Sequence, residues 1–245
     1  MYDLIDSHCH IQMATFDKDR DEVIRRAKAS GVTNMIVSGY DSISNHRALR
    51  LGYNCVFITL GLSPNMRVGE NIDYIKDQIK DNADRIVAIG EIGLDRVKSK
   101  LPVEKQKKIF LEFLDLAEEL KKPVVIHARE SEVDVLNILK KYDLKCMFHC
   151  FSGNVKAMRA AQDNGYLISL STMVCFSKKH QQLASKVDLE NLVIESDSPF
   201  LSPKRGRNEP ANVIYALKEI AVQRESEEKD VVNAVAENAR RFFEI

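Results

Sequence analysis

The sequence predicts an α/β fold in which eight parallel strands, each followed by a helix, close into a (β/α)8 barrel. Three observations carry this. Short β-branched runs alternate with amphipathic stretches along all 245 residues, the pattern of repeated βα units. No Pro/Gly/Ser-rich or low-complexity segment divides the chain, and one such barrel ordinarily takes about 250 residues, so residues 1–245 are expected to form one domain. Polar residues capable of chemistry fall at the C-terminal ends of the strands, where barrels keep their sites. A doubly wound open sheet is the alternative. No G-x-G-x-x-G or G-x-x-x-x-G-K-[ST] loop follows any strand, which counts against a nucleotide-binding fold.

Taken in order, strands are expected over residues 4–8, 34–38, 56–60, 86–91, 123–127, 146–149, 166–170 and 192–195. Each is a short apolar run, from Leu4-Ile5 through Ile86-Val87-Ala88-Ile89 and Val124-Val125-Ile126 to Leu192-Val193-Ile194. Helices are expected between them at 19–30, 44–53, 73–82, 103–120, 132–141, 155–164 and 178–185, with a closing pair at 213–224 and 227–243. Asp19-Arg20-Asp21-Glu22 and Ser226-Glu227-Glu228 set carboxylates at helix starts, where the macrodipole favours them.

The chain is 44% hydrophobic, ample for a large core, and its 36 basic and 36 acidic side chains cancel. A broad non-specific DNA track carries a strong positive excess, so any nucleic-acid partner is expected to be gripped locally, at an end. Five cysteines with no C-x-x-C pair, no secretory leader and no apolar run of 18 residues fit a reduced, cytoplasmic protein without a membrane span. No protein partner is legible.

Asp6-Ser7-His8-Cys9-His10 closes the first strand, and alternation points Asp6, His8 and His10 to one face and Ser7 and Cys9 to the other. Four further donors fall at equivalent places: Glu91 in the Gly90–Asp95 stretch after strand four, His127 in His127-Ala128-Arg129 after strand five, His149 after strand six and Asp197 in Glu195-Ser196-Asp197 after strand eight. Singly, each histidine reads as readily as a satisfied core residue, and Asp197 as a loop cap before Pro199. Jointly, their convergence on one rim points to a metal site. His46 and His180 lie on expected helices and read as solvated. Imidazoles mixed with carboxylates suit Zn²⁺, Mn²⁺ or Fe²⁺ better than Mg²⁺. Six donors exceed what one catalytic ion with an open position takes. Two divalent ions bridged by a carboxylate match the count and generate hydroxide near neutral pH, so the expected chemistry is hydrolysis.

These motifs resemble the TatD family of metal-dependent deoxyribonucleases, among the amidohydrolase-like TIM barrels. The resemblance runs from Asp6–His10 through Gly90–Asp95, His127–Arg129, His149–Gly153 and Glu195–Pro199 to Pro210–Asn212 and Asn238–Phe242. It implies that His8, His10 and Asp197 bind one ion, His127 and His149 the other, and that Glu91 bridges. It further implies a Mg-, Mn- or Zn-supported nuclease, acting on DNA as a 3′→5′ exonuclease. One departure stands out: the family's Gly-x-His-Pro reads Gly61-Leu62-Ser63-Pro64 here, setting a hydroxyl where an imidazole is expected near the phosphate. Arg96 also follows Asp95 where aromatic residues are common. In the expected mechanism Asp197 orients the attacking water, and Arg129 offers the phosphate a two-pronged donor unless Glu130 or Glu132 claims it. Arg205 and Arg207, in Lys204-Arg205-Gly206-Arg207, receive the next phosphate. Two other functions stay open. An amidohydrolase would attack a small amide, ester or phosphoester, although many such barrels bridge their ions with a carbamylated lysine rather than a glutamate. A non-catalytic interaction protein would be expected to have lost ligands, and none is lost.

Overall fold

In the computed structural model, which describes residues 2–65 and 69–245, eight strands form one parallel sheet. They are β1 (Leu4–Cys9), β2 (Val32–Ser38), β3 (Val56–Leu60), β4 (Ala88–Asp95), β5 (Val124–Arg129), β6 (Cys146–Phe148), β7 (Leu167–Ser171) and β8 (Leu192–Glu195). Their spatial order is their chain order. Between and after them lie α1 (Arg20–Ala29), α2 (Ser42–Leu49), α3 (Ile72–Lys80), α4 (Val103–Leu120), α5 (Glu132–Leu139), α6 (Val155–Gln162), α7 (Lys178–Ala184), α8 (Val213–Arg224) and α9 (Glu228–Phe243). The expected α/β barrel forms, and its ring is nearly closed. Side chains of Asp41, Asn71 and Asn154 accept from backbone N–H groups in the first turns of α2, α3 and α6, satisfying donors a helix start leaves open.

The seam between β1 and β8 carries no strand ladder among the described residues. Asp6 instead accepts from the Ser196 N–H at 2.8 Å and the Ser196 hydroxyl at 2.5 Å, and the Ser7 hydroxyl donates to the Ile194 carbonyl at 2.7 Å. Just past the strand ends, the Asp197 N–H donates to the His8 carbonyl at 3.0 Å and the His10 N–H to the Ser198 carbonyl at 2.8 Å.

Inside the ring, side chains stack in layers, as the period of two along each strand requires. One layer is apolar: Ile5, Ile36, Ala88, Val125, Met147, Leu167 and Val193 pack with Phe57 and are capped by Phe242 and Phe243 of α9. Two residues further along most strands stand Ser7, Ser38, Thr59, His127, His149, Ser169 and Glu195. The barrel floor is therefore greasy and the next storey polar. Two strands break the count. The β4–β5 register shifts between Ile89 and Ile92, so Glu91 rather than Gly90 carries the side chain into the polar layer. The β1–β2 register shifts between Asp6 and Cys9. Simple alternation from Asp6 is thus corrected: Asp6 is held at the seam by Ser196, Ser7 lies 3.2 Å from Ser169, and His8 turns to Glu91.

His46 is exposed as expected, but His180 is not solvated. It is 3% exposed, its Nδ1 lies 2.8 Å from the Ser177 hydroxyl, and its Nε2 meets no partner. Burial, with Lys179 nearby, pushes its pKa down to about 4. A base with a lowered folded pKa makes the unfolded chain the better proton binder, so stability falls as pH drops from about 6.5 to about 4. His180→Asn should flatten that part of the acid sensitivity. The check is the urea midpoint at pH 7 and pH 5, wild type against variant.

Candidate metal centre

Three strands (His8, Glu91, His127) and the segments just past three strand ends (His10, His149, Asp197) bring six donors to the C-terminal mouth of the barrel. Glu91 is central: one carboxylate oxygen lies 3.3 Å from both His8 Nε2 and His149 Nε2, and the other lies 3.9 Å from His127 Nδ1. His8 Nε2 is 3.2 Å from His10 Nε2, and His127 Nδ1 is 3.0 Å from His149 Nε2. Asp197, after β8, reaches within 3.5 Å of His10 Nε2 and 3.9 Å of His8 Nε2. Three overlapping donor groups result: His8, His10 and Glu91; His8, His149 and Asp197; Glu91, His127 and His149. Glu91 belongs to two of them.

The far nitrogen of each imidazole is also placed. His10 Nδ1 lies 2.7 Å from the Ser38 carbonyl, which can only accept, so that nitrogen carries the proton and Nε2 faces the cluster with its lone pair. His8 Nδ1 is 3.0 Å from the Ser38 hydroxyl, which itself accepts from Thr59. His127 Nε2 lies 2.9 Å from Asp95, and His149 Nδ1 lies 3.4 Å from Glu195, a fully buried carboxylate with no hydrogen bond of its own. A carboxylate or carbonyl behind a histidine is the arrangement that orients it toward a metal. Lone pairs facing each other at these separations repel unless a proton or a cation lies between them. The residues therefore fit divalent ions.

Charge tells the same story. Burial opposes ionisation of Glu91, yet His149, His8 and His127 hold its pKa well below the usual carboxylate range. Burial likewise opposes charge on His149, but Glu91 and Glu195 raise its pKa to about 9. The cluster holds protons that an ion would replace.

A family model for the TatD-related DNases matches residues 5–244. The chain belongs to the TatD-related DNase family. It is accordingly a metal-dependent hydrolase. A metal-dependent hydrolase of Methanocaldococcus jannaschii is 44% identical, with 98% of this chain and 96% of that protein covered. A protein of Erwinia tasmaniensis named 3′-5′ ssDNA/RNA exonuclease TatD is 29% identical over 99% of this chain and all of its own length. The crystal structure of the TatD homologue YjjV from Escherichia coli superposes with a TM-score of 0.93 at 26% identity, covering 99% and 98% of the two chains.

Within this TatD barrel, Asp95 and Glu195 gained no role from sequence. The available signal was the period of two, since Asp95 stands four residues beyond Glu91 and Glu195 two before Asp197. Asp95 accepts from the Val97 and Lys98 N–H groups, from Asn65 and from His127. Burial works against its charge, but these donors outweigh burial and hold its pKa below the usual range. Asp95→Asn should weaken metal affinity about 10–100-fold, as loss of an anionic partner behind a ligand does. Titration against a competing chelator measures this.

The remaining candidates separate. Arg129 is half-buried and has no ion pair among the described residues, so neither Glu130 nor Glu132 claims it. Ser63 is buried, its hydroxyl 3.3 Å from the Asn65 N–H. Arg205 is exposed. Arg207 is committed elsewhere: it pairs with both oxygens of Asp19 at 3.0 and 2.6 Å, donates to the Thr15 carbonyl and lies 4.2 Å over the Phe16 ring. These contacts anchor the β8 loop at the start of α1.

Gly93 positions His127 directly. The two are ladder partners, Gly93 has φ 146°, and a Cβ there would lie 1.9 Å from the His127 carbonyl oxygen.

Proposed function

We propose that residues 1–245 act as one unit, a 3′→5′ exonuclease on single-stranded DNA supported by two divalent ions, Mg²⁺, Mn²⁺ or Zn²⁺. The observation that carries this reading is Glu91, equidistant at 3.3 Å from a histidine of each pair. The names of relatives such as the Erwinia exonuclease support the substrate and polarity. His8, His10 and Asp197 would hold one ion and His127 and His149 the other, with Glu91 near enough to both pairs to serve either. Ions held there would supply Lewis acidity and a hydroxide nucleophile near neutral pH.

Asp197, 13% exposed at the mouth, orients the attacking water and takes its proton. The water oxygen bonds to phosphorus as the bond to the 3′ oxygen of the shortened strand breaks. Arg129 offers the scissile phosphate a planar pair of donors, while Ser63 lines the mouth with a hydroxyl in place of a charge. Five free cysteines fit a reduced cytoplasm. Among the described residues, no helix is long and apolar enough to cross a membrane.

Metal-stripped protein, reconstituted with each ion in turn, is tested on 3′- and 5′-labelled single strands. Metal-restored shortening from the 3′ end that Asp197→Asn removes is the expected result. Hydrolysis of small phosphoesters or amides alone would overturn it. Arg205→Ala should lower the slope of log affinity against log salt by about 0.7, one phosphate contact on a single strand. Arg207→Ala should instead lower the unfolding midpoint.

A further inference from the structure

Among the described residues, three large apolar side chains that remain exposed lie outside helices, each past the C-terminal end of a strand: Val97 after β4, Phe176 after β7 and Phe200 after β8. Phe200, on the loop after β8, is 49% exposed, and Phe176, on the turn after β7, is 56% exposed. Scattered single apolar residues on a surface need no explanation. Phe200 differs by position, because its ring centroid lies 6.1 Å from that of His10 with the planes at 70°. An edge contact of this kind leaves an aromatic face open beside a candidate ligand of the metal centre.

The loop that presents it is pinned. The Phe200 N–H donates to the Asp197 carbonyl at 2.9 Å, the Asn208 N–H to the Pro199 carbonyl at 3.1 Å, and the Thr172 hydroxyl to the Leu201 carbonyl at 2.6 Å. The last bond ties the β8 loop to the turn carrying Phe176, whose N–H is bonded to Met173. An exposed aromatic on a fixed loop is a preorganised surface, ordered before anything binds. Next to it, the shoulder of the barrel opens into a groove of about 270 Å³ lined by Cys175, Lys204, Tyr215, Lys218 and Glu219. Glu219 is engaged there by Gln181 and Gln223, and the Lys204 ammonium lies 4.2 Å over the Tyr215 ring. A flat apolar face beside a phosphodiester-cleaving centre, leading to a cationic groove, matches the build of single-strand sites: bases stack on aromatic rings while cations follow the backbone.

We propose that Phe200 is the stacking platform for the unpaired terminal base, and that Phe176 and the Lys204 groove carry the strand away over the β7–β8 shoulder. This rests on the exonuclease reading above and adds to it the side chain that receives the terminal base.

A double cycle tests it. Wild type and Phe200→Ala are compared on oligonucleotides ending in a normal or an abasic 3′ nucleotide. Removing the base should raise the wild-type KM roughly 5- to 100-fold, the value of one base–aromatic stack, and should leave the KM of the variant nearly unmoved. Phe200→Trp should restore the discrimination and Phe200→Leu should not. In metal-free protein, a 3′-terminal 2-aminopurine should lose fluorescence on binding to wild type and not to Phe200→Ala. If the variant suffers equally on both substrates, Phe200 only supports His10 and the platform is overturned. If wild type hydrolyses bis(p-nitrophenyl) phosphate yet neither binds nor shortens either oligonucleotide, the exonuclease reading fails and takes the platform with it.

Discussion

Glu91→Gln is expected to abolish hydrolysis and to lower the metal content of the purified protein. The amide keeps the shape of the carboxylate, so the β4 bulge and its neighbours have no steric reason to move. What disappears is the negative charge set 3.3 Å from both His8 and His149. A neutral amide is a poor ligand for two cations at once. The loss should therefore exceed the roughly 10–100-fold that follows removal of a partner behind a ligand. Metal analysis together with the rate on labelled single strands measures it. A fully active variant carrying its usual metal would remove Glu91 from the centre of the site.

Gly93→Ala should have the largest effect on folding. The new methyl would lie 1.9 Å from the His127 carbonyl oxygen and 2.9 Å from its carbon, both backbone atoms, and the residue would have to hold φ 146° with a side chain. Backbone cannot swing aside as a long side chain can. Either β4 and β5 part where they carry Glu91 and His127, or the chain stays unfolded. Overpacking alone typically costs 1–3 kcal/mol, and disallowed backbone adds to it; a total of about 4 kcal/mol or more places the variant among the severe class. The unfolding midpoint in urea reads this directly, and in soluble protein metal binding should fall with it. Gly165→Ala, where φ is 74° but nothing lies within 4 Å, separates backbone strain from collision.

Much of this was legible from residues alone, for identifiable reasons. Runs such as Val124-Val125-Ile126 are apolar on both faces because a parallel strand in a barrel is covered inside and out, and they marked the strands within a few residues. That His8, His10, Glu91, His127, His149 and Asp197 meet was legible because each follows such a run on the same side of the sheet. What stayed hidden depended on distant or irregular geometry. β4 extends to Asp95 because Gly90 and Gly93 admit close neighbours, whereas a glycine-flanked carboxylate reads as a strand end. The β1 irregularity defeats strict alternation and sends Asp6 to Ser196. Arg207 looks like an unclaimed cation until folding brings Asp19 to it from 188 positions away. His180 sits in a helix of polar neighbours, and only packing reveals that it is buried.

The seam has a consequence for how such an activity comes into being. A ribosome makes His8 and His10 long before Asp197. The bonds from Asp197 to His8 and from His10 to Ser198 join these two stretches directly. A nascent chain translated only through β7 holds five of the six donors and can pair β1 with β2, yet it has nothing to fasten the other edge of β1 against. Contacts so far apart in sequence form late, after most of the loop-closure entropy has been surrendered. Cutting power thus arrives with the final fastening of the ring, and truncated chains are silent by construction.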